Sequence, residues 1–493
     1  MNLILDPSDV RHYQAFLRAK TLPMYHVQGH SVSFPDEYAA IVGGKSPRKS
    51  KGAYVPPSWM FDYQKDITAM AIRKRKFATF MDCGLGKTPI HLEFARVAAE
   101  SMRGRNVLIV APLMVISQEL QEVRKFYGDG YPIERVKAAD LQSWLNAGKG
   151  IGITNYEAIR DDLTPGKLGG IVLVESSMLK SHYGKWGTKL IELGRGLEWK
   201  LCETGTPAPN DRIEYANHAV FLDAFSSVNA FLATFFVNRG QTQERWELKP
   251  HALGPFYRAL SHWAIFVTNP ATYGWKDNCE TIPPINVHIH DVDLTQGQRE
   301  EVFGLTRMLF AGAAGGITSR NKFGQIAKGN YQGREIETLK PEFIRGLVDG
   351  WPEESTIIWC IYNAEQEAME RMFPDAASLK GETPVEDRER LIEDFKAGRR
   401  RVIISKPKVM GFGLNLQIAT RQVFSGLQDS YESFYQAVKR SNRYGSTRPL
   451  NVHIPITEIE RPMVDTVLSK AARVQRDSEE QEAIFKANKM EVA

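Results

Sequence analysis

From residue 77 onward, short apolar runs rich in β-branched residues alternate with longer amphipathic stretches. Such runs, bounded by turns, read as strands buried on both faces, and the stretches between them as crossover helices. They predict strands at FATF (77–80), NVLIVA (106–111), GIGIT (150–154), GIVLV (170–174) and KLCET (200–204). The rhythm resumes with TIIWCIY (356–362), AASLKG (376–381), RVIIS (401–405), QVFSG (422–426) and NVHIPI (451–456). Alternation of this kind builds parallel sheets, so the expected class is α/β with two sheets of similar size.

Residues 207–345 read as mostly helical and dense in aromatics. Phe231, Phe235, Phe236, Trp246, Phe256, Trp263 and Trp275 are expected in the core rather than in a stacking role. The pattern divides the chain into an N-terminal extension and linker (1–60), a first lobe (61–282) with a helical protrusion at about 207–282, a helical inter-lobe segment (283–345), a second lobe (346–460) and a C-terminal helical tail (461–493).

At 493 residues the chain is too long for one core, which agrees with two lobes. The formal charge of +5 is compatible with a polyanionic partner but far below that of a DNA-coating protein. The clusters KSPRKSK (45–51), RKRK (73–76) and RRR (399–401) are each either phosphate contacts or solvated faces. Cys83, Cys202, Cys279 and Cys360 form neither a CxxC pair nor a disulfide framework, which suits a reducing cytoplasm. The start MNLILDPSDVRHYQ has acids where an export signal needs bases, so export is not expected. The most apolar stretch, 219–237, is interrupted by Asp223, two serines and Asn229, so buried helices are expected there and no membrane partner.

The strand FATF leads through MDCGLGKT into a helix-like segment, the context a phosphate-binding loop requires. Gly84 and Gly86 let backbone amides turn toward phosphate oxygens, Lys87 would hold the β and γ phosphates, and the Thr88 hydroxyl suits magnesium. Glu175 lies just past an apolar strand, where a carboxylate can orient or deprotonate an attacking water, and it is the expected general base. Thr204 and Thr206, flanking Gly205, are placed to sense the γ phosphate, or else to form a plain turn. In the second half VMGFGLNLQ (409–417) is a glycine-rich loop, and Arg440 and Arg443 lie three apart on one helical face. They are candidate arginine fingers, with surface salt bridging the alternative.

The series as a whole resembles the Swi/Snf-like branch of superfamily-two helicases, and most of all the compact versions of bacteriophages and prophages. The likeness runs over about residues 60–460, in the family's order. FDYQ with Gln64 is similar to the adenine-reading motif, and MDCGLGKT, including Leu85, to the family's DEMGLGKT. APL (111–113) with Pro112, and TNYE (154–157) with Asn155 and Tyr156, resemble strand-contacting motifs. VESS resembles the acidic motif and TGTPAPN the coupling motif. LKGETPVEDRERLIEDFKAG resembles the second-lobe segment. GFGLNLQ with Gly411, Gly413 and Asn415, and QAVKRSNRYG with Gln436, resemble the last two motifs.

The resemblance implies two tandem RecA-like lobes and a cytoplasmic ATPase using ATP and Mg2+. It also implies stimulation by duplex DNA and tracking along it without sequence preference, so as to displace or remodel bound proteins. In a phage-encoded protein the compartment would be the bacterial host cytoplasm. One position departs from the pattern: the family has Asp-Glu where this chain has Val174-Glu175, so the aspartate that holds magnesium is missing and Glu175 is left as the metal's carboxylate. Two other readings are therefore kept, a strand-separating helicase on branched DNA or RNA, and a nucleotide-binding DNA scaffold with impaired hydrolysis.

Overall fold

The structure is a computed structural model, described for residues 2–22, 25–34, 38–43, 54–181, 184–240, 244–276, 282–310, 317–410, 414–427, 430–443 and 446–487. It has two parallel sheets flanked by helices, two RecA-like α/β lobes. The first sheet has seven strands in the spatial order 264–267, 76–81, 199–204, 168–174, 106–111, 151–155, 133–135, every neighbouring pair parallel. Alternate residues of these strands enter two apolar clusters, one on each face. Ala78, Phe80, Leu108, Val110, Ile171 and Leu173 point one way, and Phe77, Met81, Ile109, Val172, Val174 and Leu201 the other. Burial on both faces accounts for the unbroken apolar runs of these strands. The second sheet has six parallel strands in the order 285–291, 450–456, 421–424, 356–359, 402–405, 377–379.

Two of these strands lie in the stretch expected to be mostly helical. Ala264–Val267 follows the helix Leu253–Trp263 with no intervening turn residue and pairs beside the phosphate-loop strand. The apolar run WAIFV serves both elements, so periodicity alone cannot divide it. Ile285–Asp291 alternates apolar and polar residues and joins the edge of the second sheet, with its apolar positions still partly exposed. The alternation INVHIHD is a strand signal, and the surrounding helices Gln296–Phe310, Ile317–Ala327 and Lys340–Asp349 obscure it.

Phe231, Phe235, Phe236, Phe256 and Trp263 are buried in one cluster, mostly in edge-to-face contacts. Near the N-terminus, strands Asn2–Ile4, His26–Gln28 and Ser31–Ser33 form an antiparallel sheet that carries the helix Val10–Ala19 and has its own small core. The helix Arg461–Ala487 starts on the second lobe, burying Val464 and Val467, and ends on the first, where Asp477 pairs with Arg212 at 2.7 Å and Glu482 accepts from the Thr268 hydroxyl at 2.6 Å. It straps the lobes together. Among the described residues no helix is long and apolar enough to cross a membrane.

Candidate nucleotide site at the seam between the lobes

The buried strand Lys76–Met81 ends in a loop that feeds the helix Thr88–Ser101, whose first turn carries Pro89. Gly84 and Gly86 have φ of 92° and 65°, values that favour glycine. A Cβ on Gly86 would lie 2.6 Å from Gln64 Nε2. That amide donates to the Gly86 carbonyl at 2.8 Å, and the Tyr63 hydroxyl donates to the Leu85 carbonyl at 2.8 Å. Gln64 Oε1 accepts from the Phe61 amide at 2.9 Å, so this buried glutamine shapes the loop and begins its own helix. The Lys87 ammonium reaches the carbonyls of Met81 and Asp82, at 3.1 and 3.4 Å. It is thereby held across the mouth of the loop.

The other first-lobe motifs stand on the same sheet edge, at the carboxyl ends of their strands, where ligands bind in open α/β sheets. Glu175 follows strand Leu168–Val174 with φ 54° and ψ 54°, a left-handed conformation that costs a non-glycine residue about 1 kcal/mol or more. Its carboxylate accepts from the Thr204 hydroxyl at 3.3 Å, and the Thr206 amide donates to Thr204 Oγ1 at 3.1 Å. Gly205 lies against the loop, where a Cβ would stand 3.3 Å from the Met81 carbonyl oxygen.

From the second lobe, the helix Tyr431–Val438 closes onto this edge. The Thr206 hydroxyl donates to Glu432 Oε1 at 3.3 Å, and Lys180 of the first lobe pairs with the same carboxylate. Gln436 Nε2 donates to Glu432 at 3.4 Å, and Arg440 Nε donates to the Gln436 carbonyl at 2.9 Å. A polar path thus runs from Glu175 through Thr204, Thr206, Glu432 and Gln436 to Arg440. Beside it Tyr435 donates its hydroxyl to Asp82 of the phosphate loop, and Lys439 pairs with Asp82 at 3.3 Å.

Burial raises the Cys83 thiol's pKa, against the opposing pull of Lys87 and Arg440, which puts the Arg440 charge within reach of the phosphate loop. Burial, then the adjacent Arg440 charge, draws Arg443 below its ordinary value, while Glu122 and Glu175 oppose them. Arg440 and Arg443 lie past the end of the helix Tyr431–Val438, in a turn and not on one helical face as expected, and both charges are felt at Cys83 of the phosphate loop. The salt-bridged surface alternative does not describe Arg440, which is 4% exposed.

Beneath the loop lies a buried charged cluster. His91, one turn beyond Thr88, places Nδ1 2.7 Å from Glu203 Oε2 and Nε2 3.1 Å from Glu119 Oε2. Glu203 Oε1 accepts from the Thr79 hydroxyl at 3.0 Å, and the Thr88 hydroxyl donates to Glu119 Oε1 at 3.4 Å. Burial by itself would lower the imidazole's pKa, but the two carboxylates outweigh it and raise it to about 10. Burial raises the Glu119 carboxyl, with His91 opposing.

The remaining expected residues are less concentrated. Pro112 and Asn155 sit at the ends of neighbouring strands on the site's edge, and Asn155 donates to Glu157 at 2.7 Å. Tyr156 is 1% exposed, its hydroxyl donating to the Val174 carbonyl at 2.9 Å, so its ring offers DNA no surface. Asn415 is half-buried, and the neighbouring Leu416 amide donates to the Arg440 carbonyl at 2.9 Å, joining the last two motifs. Gly411 and Gly413 lie outside the described residues, as do KSPRKSK and Cys279.

The other two basic clusters are engaged within the fold. Lys74 donates to the His262 carbonyl at 2.8 Å, Arg75 pairs with Glu198 and Lys76 with Asp223. Arg399 pairs with Asp394, while Arg400 and Arg401 donate to backbone carbonyls. Asp82, His91, Glu119, Lys180, Glu432, Tyr435 and Lys439 escaped the sequence reading. Only their spatial assembly marks them.

Among the described residues no group of three or more His, Cys, Asp or Glu could hold a metal unaided. Thr88, with the Glu119 carboxylate 3.4 Å from its hydroxyl, fits an ion such as Mg2+, which favours oxygen and is completed by phosphate oxygens and water.

Residues 339–445 match the helicase conserved C-terminal domain. The chain is 36% identical over 107 residues to the ATP-dependent helicase fft1 of Schizosaccharomyces pombe, a stretch covering 20% of this chain and 11% of that protein. It is 22% identical over 207 residues to the ATP-dependent RNA helicase FAL1 of Kluyveromyces lactis, 40% of this chain and 50% of that one. The matches thus span half or less of each curated relative. Among solved structures, the Sulfolobus solfataricus SWI2/SNF2 ATPase core in complex with dsDNA is similar at 19% identity and a TM-score of 0.40, over 88% of this chain and 96% of that one. Residues 339–445 thus put a helicase conserved C-terminal domain in the second lobe, where it faces the ordered motifs of the first lobe across the seam.

Proposed function

We propose that the protein is a DNA-dependent ATPase that moves along duplex DNA and displaces or remodels the proteins bound there. The observation that carries this reading is the polar path from Glu175 to Arg440. It joins the expected general base to the second lobe, so that events at a γ phosphate and the closure of the lobes become one event. Mg·ATP would supply the transferable phosphoryl group and a cation to neutralise it. Lys87 and the loop amides hold the phosphates, Thr88 offers its hydroxyl to the metal, Glu175 orients or deprotonates the attacking water, and Arg440 and Arg443 offset developing charge from across the seam.

For the polyanion, Pro112 and Asn155 line the first lobe's edge. A cavity of about 430 Å3 opens beyond the strand ends of the second lobe, lined by Gln325, Asn330, Asn363 and Lys406. The amides and the ammonium of this lining, beside Ile361, Tyr362 and Ala364, can donate to a sugar-phosphate backbone. The names of the curated relatives add support for ATP as the fuel.

One observation favours a second reading. Val174 lies in an apolar cluster and offers a metal no ligand, as in a scaffold that binds nucleotide and hydrolyses it poorly. ATP turnover measured without polymer and with single strands, duplex DNA and RNA separates the two. The motor requires turnover raised most by duplex, and the scaffold requires nucleotide binding with turnover flat across all four.

A further inference from the structure

We infer that Glu119 takes over the task of the carboxylate that Val174 replaces, accepting the Thr88 hydroxyl proton and placing negative charge beside the magnesium ion. The inference rests on the nucleotide-site reading and adds to it a residue outside the recognised motifs.

A threonine hydroxyl has one proton and two lone pairs. It serves a cation best when its proton is drawn to an acceptor on the far side, leaving a lone pair for the metal. At position 174 the acceptor would have to be a side chain at the strand end, and valine has none. Glu203, on the next strand, is not available to Thr88, because its two oxygens are taken by Thr79 and His91 at 3.0 and 2.7 Å. Glu119 is available. It comes from the helix Leu113–Tyr127 and meets the phosphate-loop helix at Thr88 and His91, three residues apart on one face. Oε1 lies 3.4 Å from the Thr88 hydroxyl, while Oε2 stands 3.1 Å from His91 Nε2 at ion-pair distance.

Charge points the same way. Glu119 and Glu203 flank the single ring of His91, at 3.1 and 2.7 Å, so this buried corner holds two acidic side chains to one basic one and has room in its balance for a cation. The cation that belongs to this corner is the one Thr88 would bind. Glu119 is thus a positioning residue, acting on the metal through Thr88.

The test is the magnesium dependence of nucleotide binding, read with a fluorescent ADP, which involves no turnover. In Glu119→Gln the magnesium midpoint should rise about tenfold or more, the usual effect of losing a partner that orients a metal ligand. Affinity in EDTA and the melting temperature should stay near the parent's. Adding Val174→Asp to Glu119→Gln should return the midpoint toward the parent value, since the carboxylate is restored at the other address. An unshifted midpoint in Glu119→Gln overturns the inference while leaving the nucleotide site intact. So does an equal loss of affinity with and without magnesium that Val174→Asp does not rescue, because that is the mark of a structural role. A parent that binds no nucleotide under either condition overturns the nucleotide-site reading, and this inference with it.

Discussion

Val174 and Glu203 are register partners on neighbouring parallel strands, on the sheet face that packs the phosphate-loop helix. The carboxylate lost from the end of one strand has a counterpart on the next, but that counterpart is bound to His91. Val174→Asp would therefore set an acid beside an acid, and like charges placed directly opposite destabilise a sheet. The single variant should melt below the parent. Val174→Asp combined with Glu203→Leu should recover both the melting temperature and a turnover at least equal to the parent's. A single variant as stable as the parent would show that the two positions do not feel each other.

His91 gives the first lobe a pH signature. Its folded-state pKa of about 10 lies above the ordinary 6.5. The stabilisation it provides is therefore complete below pH 6.5 and is lost as pH rises through 10. Urea unfolding of the parent and of His91→Leu across pH 6 to 10 should show the gap between them narrowing as pH rises. At neutral pH the variant, left with two buried carboxylates, should be less stable by about 3–5 kcal/mol. A gap constant over that range would mean that His91 does not carry the charge assigned to it.

Glu432 is where the two lobes share one carboxylate, through Thr206, Lys180 and Gln436. Glu432→Ala should leave nucleotide affinity unchanged and lower polymer-stimulated turnover on the order of tenfold, the scale of an ordinary coupling free energy. Stimulation by DNA at the parental level would remove Glu432 from the path.

In the second lobe Glu460 is buried between Lys328 and Lys340, at 2.6 and 2.5 Å. Burial opposes its charge, but the two ammonium groups win and hold its pKa at about 2 instead of 4.5. The stability it confers is present above pH 4.5 and lost as pH falls toward 2. Glu460→Gln should cost about 3–5 kcal/mol near neutrality, since it leaves two buried ammonium groups without their partner. The difference from the parent should shrink in acid, which chemical unfolding at pH 3 and pH 7 would check.

The ten strands read from apolar runs are all present, because burial on both faces writes itself into consecutive residues. Ala264–Val267 was hidden by the apolar helix that runs into it, and Ile285–Asp291 by the helices around it. The residues of the phosphate loop, Glu175, the two threonines and the two arginines were legible by type and order. Glu119 and Glu432 were not. Each is an ordinary helical glutamate whose meaning depends on which helix it meets across the fold, and no local spacing encodes that. Tyr156 shows the converse: its motif stands at the site's edge, yet its ring turns inward to hold the Val174 carbonyl.

The central claim is that the seam between the lobes is an ATP-hydrolysing site driven by duplex DNA. ATP turnover of the parent and of Lys87→Ala, each with and without duplex, tests it most directly, with a thermal melt to show that both are folded. In the proposed role Lys87 would neutralise phosphate charge from a loop and take no part in a core, so its loss should abolish turnover and leave the melt unchanged. The account predicts duplex-stimulated turnover in the parent and none in the folded variant. Equal turnover in the two proteins, or a folded parent with no turnover on any DNA, would contradict it.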